Sequence, residues 1–251
     1  MSDYTGTVVV ITGASGGIGA ALARELDARG ARLVLAARRD DPLQQVVGSC
    51  RDAIGVVTDV TVRADVEHLL RVAVAHFGQV DVWVNNAGRG ISRPLLELTD
   101  EDLDEMVRAN VVSALYGMQT VVPVLVAQGH GVVANVSSML GRVPFATFRS
   151  AYAASKSALN SFTETLRFDL ERAQSPVRVV LVLPGVVATD FGANALGGGP
   201  DSRTLPGAQA AEDAARAIAD GLLTGPVDLY TRGEGVESVV GHLRSLAAPN
   251  G

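Results

Sequence analysis

The sequence is poor in cysteine, in lysine and in aromatic residues. Cys50 is the only cysteine, so the chain cannot form an internal disulfide, which fits a reducing compartment such as the cytoplasm. Lys156 is the only lysine, and all other basic side chains except histidine are arginines. Aromatic residues make up 4% of the chain. Aliphatic residues and glycine are plentiful instead, a composition that suits parallel strands buried on both faces.

Other absences exclude several kinds of protein. The first six residues contain no basic stretch, so we do not expect a secretory signal. The longest apolar runs have the length of strands, so we expect no membrane-spanning segment. A net charge of −6 and the lack of a block of like charges argue against nucleic acid as a partner. Histidine, cysteine and carboxylates lack the spacing of metal ligands, so we expect no metal site.

A strand, a glycine-rich turn and a helix follow one another near the start of the chain. Residues 7–12 are an apolar run of the length of a buried strand. Gly13, Gly17 and Gly19 follow with the spacing G-x-x-x-G-x-G. Glycines let a pyrophosphate approach the backbone N–H groups at the positive N-terminus of a helix. The segment therefore predicts a dinucleotide site, although a glycine cluster can also be only a tight turn.

The end of the second predicted strand, residues 32–37, indicates which dinucleotide is bound. In a dinucleotide-binding fold this position contacts the adenosine ribose. Arg38 and Arg39 follow the strand, and arginine suits a 2′-phosphate through charge-assisted hydrogen bonds. We therefore predict NADP(H), with NAD(H) still possible. In the alternative interpretation both arginines are solvated and Asp40 or Asp41 binds the ribose.

The rest of the chain continues to alternate between strands and helices. This alternation predicts a single α/β domain over residues 1–251, a Rossmann-like, doubly wound parallel sheet of about seven strands flanked by helices. The predicted strands are 7–12, 32–37, 54–58, 80–84, 131–136, 177–183 and 227–231. The predicted helices include 42–50, with Asp41 as N-cap, and 62–77, 101–128, 208–223 and 236–246. Residues 190–206 are irregular and glycine-rich, and they predict a substrate lid or a disordered connection.

Polar residues follow several of these strands, at the sheet edge where open α/β folds bind ligands. Asn85-Asn86-Ala87-Gly88 follow the fourth strand, and Ser137-Ser138 follow the fifth. Asn110 lies inside the predicted helix 101–128, where a buried asparagine needs hydrogen-bond partners. These residues are candidates for a functional site, although the asparagines can also be structural.

Tyr152 and Lys156 are four residues apart in a predicted helix, so their side chains lie on one face. A nearby cation favours the phenolate, so we expect Lys156 to lower the pKa of Tyr152 towards neutrality. Such a pair suits proton exchange between an alcohol and a ketone. The alternative is an ordinary surface pair, but lysine offers a compact charge with a tunable pKa, and this chain has lysine only here.

Taken together, these motifs resemble those of the short-chain dehydrogenases/reductases along roughly residues 5–232. The matching residues are Thr12, Gly13, Gly17, Gly19, Asn85, Asn86, Ala87, Gly88, Asn110, Ser138, Tyr152, Lys156, Pro184, Gly185 and Thr189. The resemblance implies a seven-stranded parallel sheet with the active site at the carboxyl ends of the strands. It also implies hydride transfer by a nicotinamide cofactor, with the protein orienting and polarising the reactants.

The resemblance also implies a role for each matching residue. Tyr152 would be the general acid/base, Lys156 would hold the nicotinamide ribose and lower the Tyr152 pKa, Ser138 would bind the carbonyl oxygen, and Asn110 would anchor a water. Asn86 would lie near the adenosine half of the cofactor, Asp59 and Val60 beside the adenine, and Pro184, Gly185 and Thr189 against the nicotinamide. The predicted cofactor-binding residues are Gly13, Ser15, Gly17, Ile18, Gly19, Arg38, Arg39, Asp59, Val60, Asn86, Ala87, Gly88, Tyr152, Lys156, Pro184, Gly185, Val187 and Thr189.

Two segments depart from the family pattern. The interval from Ser138 to Tyr152 is one residue longer than the family leads us to expect, and Ser137 is the alternative if the register is shifted. The tail 233–251 lacks the Asp-Gly-Gly ending that is common in tetrameric members. We therefore expect a homodimer through the helices of Asn110 and Tyr152 more than a homotetramer.

The predicted function is an NADP(H)-dependent ketoreductase or alcohol dehydrogenase of the cytoplasm, acting on an apolar small molecule. The candidate pocket residues are Ile91, Leu140, Phe145, Phe148, Val186 and Phe191. Arg142 and Arg149 could instead dock a carrier-protein thioester. The other hypotheses are an NAD-dependent dehydrogenase, an epimerase or dehydratase that uses the same tyrosine, and a cofactor-binding module without turnover.

Overall fold

A computed structural model describes residues 2–247 of the chain. Within these residues seven strands form one sheet in the order β3-β2-β1-β4-β5-β6-β7, and every neighbouring pair is parallel. The strands are β1 (Val8–Thr12), β2 (Arg32–Ala37), β3 (Ala53–Val57), β4 (Val82–Asn85), β5 (Val132–Val136), β6 (Arg178–Leu183) and β7 (Asp228–Tyr230). The predicted doubly wound fold is confirmed.

Helices cover both faces of the sheet. They are α1 (Gly17–Ala28), α2 (Asp40–Val47), α3 (Arg63–Phe77), α4 (Asp100–Val107), α5 (Ser113–Gln128), α6 (Ser150–Arg172), α7 (Ala211–Gly221) and α8 (Gly235–Ala247). Successive residues of β1 alternate between two apolar cores, because side chains along a strand point to opposite faces. Val9 and Ile11 pack with α1 and α7, whereas Val8 and Val10 pack with α3 and α5.

The strand order reverses between β1 and β4, which lie side by side in the middle of the sheet. From β1 the chain moves out to β2 and β3, then returns to β4 and continues to the other edge. The loops after β1 and β4 therefore leave the sheet in opposite directions and open a crevice between them. Ligands bind at such a reversal in open α/β sheets, and this places the glycine-rich turn beside Asn86.

Helix α2 begins two residues earlier than the sequence predicts. Asp40 is its first residue and Arg39 is the N-cap, so Asp41 is not the cap. Pro42 is tolerated at the third position, because the first N–H groups of a helix have no acceptor within that helix. The helix gains two acidic residues in its first turn, where the helix dipole stabilises negative charge.

The predicted helix 101–128 is one continuous helical run with a wide turn in the middle. Thr99 caps α4, and its side chain accepts a hydrogen bond from the backbone N–H of Asp102. Between α4 and α5, residues Arg108–Val112 form a π-helical turn. Such turns insert one residue into a helix and occur often at functional sites. The turn contains Asn110, and hydrophobic periodicity did not predict it.

The run from Asp100 to Gln128 is long and apolar enough to cross a membrane by length and composition, contrary to our expectation of no such segment. The same composition is typical of a core helix. Val121 and Leu125 are fully buried, and Met118 is nearly so, in the core beneath the sheet. We therefore interpret this run as a core helix of the domain.

The irregular segment 190–206 is attached to the loop that follows β4, so it is not a disordered connection. The Leu196 N–H donates to the Gly90 carbonyl oxygen at 2.9 Å, and the Ser92 N–H donates to the Leu196 carbonyl oxygen at 2.8 Å. A short helical turn, Ser202–Thr204, follows. The segment is therefore tied to the loop after β4, and its role as a substrate lid stays a prediction.

Helix α8 forms most of the tail that departs from the family pattern. Val236, Val240, Leu243 and Leu246 are exposed along it, three or four residues apart, so they share one face. Gly235 is its one buried residue in the described part of the chain. Residues 248–251 of the predicted tail lie outside the described residues.

Candidate active site

Tyr152 lies near the start of α6 and is 7% exposed. Burial raises the pKa of its phenol to about 12, because the charged phenolate is poorly solvated there. Two neighbours act in the opposite direction. The Ser138 hydroxyl can hydrogen-bond to the phenolate, and the positive charge of Arg149 favours it. Burial outweighs both of these effects, so the predicted lowering of the Tyr152 pKa towards neutrality is wrong for the protein's own groups.

Lys156 lies one turn further along α6 and is 3% exposed. Its Nζ donates to the Val136 carbonyl oxygen at 2.8 Å and lies 5.8 Å from the centre of the Tyr152 ring. Burial lowers the pKa of Lys156 to about 7, because the ammonium loses its hydration. The two side chains do lie together on one face, as predicted, but the lysine is itself close to losing its charge at neutral pH.

Asn110 is held by hydrogen bonds on both sides of its amide. Its Oδ1 accepts from the Arg89 N–H at 2.9 Å, and its Nδ2 donates to the Arg89 carbonyl oxygen at 2.9 Å. The Nδ2 also lies 3.2 Å from the Ser155 Oγ. The π-helical turn thus directs this amide towards the loop after β4 and towards α6.

Gly88 separates Asn110 from Lys156. A Cβ on Gly88 would lie 2.7 Å from the Asn110 Oδ1 and 3.5 Å from the Lys156 Nζ. A side chain at this position would therefore collide with the asparagine. The structure brings Asn110, Lys156 and the end of β4 together at the reversal of the strand order.

The two serines after β5 face different surroundings. The Ser137 Oγ donates to the Asn160 Oδ1 at 2.5 Å and lies 3.3 Å from the Lys156 carbonyl oxygen. These contacts hold β5 against α6. The Ser138 Oγ, which accepts from the Leu140 N–H at 3.1 Å, is the one near the phenol. This geometry favours Ser138 over the alternative Ser137.

The glycine-rich turn packs tightly against the end of β4. A Cβ on Gly19 would lie 2.4 Å from the Gly13 carbonyl oxygen and 2.6 Å from the Asn86 Nδ2. That Nδ2 donates to the Thr12 carbonyl oxygen at 2.9 Å. Gly13 has a φ of +68°, and a Cβ on it would lie 2.8 Å from the Ala87 Cα. Asn86 therefore supports the turn directly.

The outer side of the same turn is open. Among the described residues nothing lies within 4 Å of a Cβ on Gly16, and a Cβ on Gly17 would meet only Thr189, at 3.4 Å. No side chain in this part of the chain caps α1, and its first turn has no acidic residue. Uncapped N–H groups beside a glycine cradle fit the pyrophosphate of a dinucleotide.

Arg38 and Arg39 are exposed directly after β2. Burial raises the pKa of nearby Asp59, but hydrogen bonds from Thr61 and the charge of Arg38 lower it further, so the net pKa is below the usual value. Asp40 is engaged instead, since its Oδ1 accepts from the Gln44 Nε2 at 2.9 Å. Within residues 2–247 neither Arg38 nor Arg39 lies within 4.0 Å of a carboxylate oxygen. The surface next to the predicted ribose position thus carries two guanidinium groups without an acidic partner in that part of the chain.

The loop after β6 contributes the remaining predicted residues. The Pro184 carbonyl oxygen accepts from the Met139 N–H at 2.9 Å, which ties this loop to the loop after β5. Val187 pairs with Gln209. The Thr189 Oγ1 accepts from the Phe191 N–H at 3.3 Å. Thr189 also faces Gly17, as described above, so the two sides of the crevice meet here.

The candidate substrate contacts differ in their surroundings. Ile91 is fully buried with Met106, Ala151 and Tyr152 in a small core. Phe145 is 64% exposed. Phe191 is different, since its ring lies 5.5 Å from the Tyr152 ring.

The two loop arginines also differ from each other. Arg142 binds Glu164 and Asp228, each at 2.7 Å, so its charge is already paired. Arg149 is 7% exposed. Neither arginine therefore offers an unpaired charge at the surface for docking a carrier-protein thioester. Burial of Arg149 next to Tyr152 could not be predicted, because the residues that cover it are distant along the chain.

Comparisons with known proteins agree with this arrangement. The sequence model of the family described as short chain dehydrogenase matches residues 7–196. An uncharacterized oxidoreductase of Staphylococcus epidermidis strain RP62A is 34% identical over 199 residues, which are 76% of this chain and 85% of that protein.

Two solved structures are similar over most of the chain. A short chain dehydrogenase/reductase from Burkholderia phymatum in complex with NAD has a TM-score of 0.88 at 26% identity, with 100% of this chain and 99% of that chain covered. An alcohol dehydrogenase from the archaeon Thermococcus sibiricus in complex with 5-hydroxy-NADP has a TM-score of 0.77 at 29% identity, with 89% and 95% covered. From its motifs, its fold and these relatives, the chain belongs to the short-chain dehydrogenase/reductase family of oxidoreductases.

Proposed function

We propose that this protein interconverts a small carbonyl compound and the corresponding alcohol, with NADP(H) as the preferred cofactor and Tyr152 as the general acid/base. The observation that carries the proposal is the convergence of Tyr152, Ser138, Lys156 and Asn110 at the carboxyl ends of the strands. A module that only binds a cofactor needs no such set. We further propose that the protein works in the cytoplasm, which its single cysteine supports.

The bound cofactor supplies the hydride, and the protein positions and polarises the substrate. In the direction of reduction, the Tyr152 hydroxyl donates a proton to the carbonyl oxygen, and Ser138 donates a hydrogen bond to the same oxygen. In the direction of oxidation, Tyr152 takes the proton back as a phenolate. The cationic form of Lys156 would hold the ribose hydroxyls of the cofactor from beneath. Asn110 holds the loop after β4 in place and anchors a water next to Lys156.

The pyrophosphate would lie on the open side of the turn, against the N–H groups near Ser15, Gly17 and Ile18. Asp59 and Val60 would border the adenine. Gly185 and Val187 would line the nicotinamide side. The preference for NADP(H) rests on Arg38 and Arg39, whose exposed guanidinium groups suit a 2′-phosphate. The structures of similar proteins contain NAD in one case and an NADP derivative in the other.

The acid/base role is tested with Tyr152→Phe. A general acid/base contributes about 10²–10⁴ in rate, so kcat should fall by that factor while the Kd for NADPH changes less than about twofold. Turnover is followed as NADPH consumption over a panel of ketones and aldehydes, and binding is followed by calorimetry. Retained turnover would exclude Tyr152 from the chemistry. Tight NADPH binding without turnover of any carbonyl compound would favour the binding module instead.

The cofactor preference is tested with Arg38→Ala. A charge-assisted hydrogen bond contributes about 1.5–3 kcal/mol, so the Kd for NADPH should rise roughly 10- to 100-fold, while the Kd for NADH stays nearly constant. Arg39→Ala, measured in parallel, shows which of the two guanidinium groups contacts the phosphate. Equal losses for the two cofactors in both variants would contradict the assignment.

A further inference from the structure

A buried guanidinium lies next to Tyr152 without an acidic partner. Arg149 is 7% exposed, and within residues 2–247 no carboxylate oxygen lies within 4.0 Å of its nitrogens. Its Nη1 donates to the Ile91 carbonyl oxygen at 3.1 Å. A guanidinium has five N–H donors, so most of them make no hydrogen bond to the described protein.

Another arginine of the same chain provides the comparison. Arg29 is 8% exposed, and its nitrogens lie 2.6 Å from carboxylate oxygens of both Glu25 and Asp220. This is the usual arrangement, because a buried charge without a counter-ion costs several kcal/mol. Arg149 has no such counter-ion among the described residues, and it lies next to the proposed general acid/base Tyr152. Because Arg149 is a buried cation without a carboxylate partner in the described chain, it is suited to bind an anionic group of a ligand.

The guanidinium shares its surroundings with the reacting phenol. A Cβ added to Gly90 would lie 2.9 Å from both the Arg149 Nη1 and the Phe191 Cε1, so the guanidinium and this ring are neighbours. The Phe191 ring in turn packs on Tyr152. The charge of Arg149 is also felt at the phenol, since it lowers the Tyr152 pKa against the larger effect of burial. Arg149, Phe191 and Tyr152 are therefore neighbours around one site.

A second polar group near Arg149 also lacks a partner. The Ser92 Oγ is buried, and no hydrogen-bond partner for it lies among the described residues. A Cβ added to Gly199 would lie 2.6 Å from this Oγ and 3.1 Å from the Arg149 Nη2. The same Cβ would lie 2.8 Å from the Gly192 carbonyl oxygen. The hydroxyl and the guanidinium are therefore neighbours beneath the glycines of the lid.

The glycines of segment 190–206 allow its backbone to lie close to the Ser92 hydroxyl and the Arg149 guanidinium. Gly197, Gly198 and Gly199 all have positive φ, a conformation that favours glycine. A larger residue at position 199 would press on both Ser92 and Arg149. The backbone at Gly199 therefore lies against both donors and limits their contact with solvent. Low solvent contact strengthens an electrostatic interaction.

We propose that the substrate carries a carboxylate a few bonds from its carbonyl carbon, and that Arg149 binds this carboxylate with Ser92 as a second donor. The inference rests on the proposed function, since the reacting carbonyl lies at Tyr152 and Ser138. It changes the expected substrate from an apolar ketone to an oxo acid whose carbon skeleton contacts Phe191. The planar fork of a guanidinium matches a carboxylate with two parallel hydrogen bonds.

The test compares oxo acids with their neutral esters. Acetoacetate and 4-oxopentanoate, each beside its methyl ester, are assayed with NADPH. We expect kcat/KM for the acids to exceed that for the esters by at least tenfold. Arg149→Gln should bring this ratio close to one, mainly through KM for the acid. Arg149→Lys should keep part of the ratio, and Ser92→Ala should lower it by a few fold. Arg142→Gln, which removes an arginine paired within the protein, should leave the ratio unchanged.

A binding measurement separates this inference from the proposed function. Butanoate and butanamide are titrated into the NADPH-loaded protein by calorimetry. Butanoate should bind at least tenfold more tightly than butanamide, and Arg149→Lys or Ser92→Ala should weaken it even where Arg149→Gln fails to fold. Equal turnover of acids and esters would overturn the carboxylate site and leave the oxidoreductase. Absence of all turnover would overturn the proposed function, and butanoate binding that depends on Arg149 would still support the anion site.

Discussion

Lys156 is an ammonium buried without a carboxylate partner among the described residues, and its position costs stability. Its Nζ has the Val136 carbonyl oxygen as its acceptor, and burial moves its pKa from 10.5 to about 7. The unfolded chain therefore binds a proton more tightly than the folded chain does. The free energy of unfolding must rise with pH between pH 7 and 10.5 on account of this residue, and the full cost applies below pH 7.

Lys156→Met should therefore stabilise the fold while it abolishes turnover. Methionine has a similar length and carries no charge, so below pH 7 the free energy of unfolding should rise by on the order of a few kcal/mol. Loss of the hydrogen bond to the Val136 carbonyl oxygen reduces this gain. The gain should shrink as the pH rises from 7 towards 10.5, where the wild-type lysine is neutral. Thermal unfolding at pH 6, 8 and 10 measures this. A gain that does not depend on pH would mean that Lys156 has the same pKa in the folded and the unfolded chain, and would contradict the lowered pKa.

At the scale of residues, the sequence was informative where one helix carries the pattern. The four-residue spacing correctly placed Tyr152 and Lys156 on one face. It could not give the direction of the Tyr152 pKa shift, because burial of the phenol depends on Phe191 and on the loop after β4, both distant along the chain. The lack of an acidic partner for Arg149 could not be predicted for the same reason. Whether an arginine has an acidic neighbour is decided by tertiary contacts.

At the scale of elements, the strands were the easiest to predict. Continuous apolar runs such as 7–12 are long enough to be buried on both faces, and β1 and β2 lie within one residue of the predicted bounds. Helix ends were harder, as α2 shows, because Arg39 caps it through backbone geometry without a side-chain hydrogen bond. The π-helical turn at Asn110 was not predicted, since hydrophobic periodicity assumes a regular helix of 3.6 residues per turn.

The turn between β1 and α1 allows stability and cofactor binding to be separated. Gly19→Ala would place a methyl group 2.4 Å from the Gly13 carbonyl oxygen. Overpacking of this kind costs about 1–3 kcal/mol, so the Tm of the protein alone should fall by several degrees. Differential scanning calorimetry without cofactor measures the change.

Gly16→Ala is the matched variant. Gly16 has a φ of −178°, which alanine adopts without strain, and no described atom lies within 4 Å of the new methyl group. The Tm should stay within about a degree of wild type. The methyl group would enter the proposed pyrophosphate position, so the Kd for NADPH should rise by roughly an order of magnitude. Unchanged affinity would place the pyrophosphate elsewhere.

At the scale of the whole molecule, apolar side chains remain exposed on the helices of Asn110 and Tyr152. They are Leu103, Val107, Val126, Phe162 and Phe168. Exposed apolar side chains that lie together on a protein surface mark interaction sites. These are the helices through which we expect a homodimer, and the paired surface would bury aromatic side chains that are otherwise in contact with water.

Phe168→Glu should therefore shift the protein from dimer to monomer. Phe168 is 61% exposed, so the substitution should leave the fold of the single chain intact, whereas a buried carboxylate in an interface is strongly unfavourable. Sedimentation velocity over a range of concentrations measures the change. Leu243→Glu on α8 serves as the control, since 58% of that side chain is exposed on a different surface. Dissociation by Leu243→Glu alone would place the interface on the C-terminal helix instead.

The choice of arginine for every other basic position has a chemical consequence. Lys156 is the only side-chain amine in the sequence, and at neutral pH a large part of it is unprotonated, the form that attacks electrophiles. Acylating reagents and aldehydes that normally decorate a protein at many sites would find one reactive side chain here, at the bottom of the catalytic crevice. Labelling of side-chain amines would therefore be confined to one position, and its rate would report how accessible the catalytic crevice is.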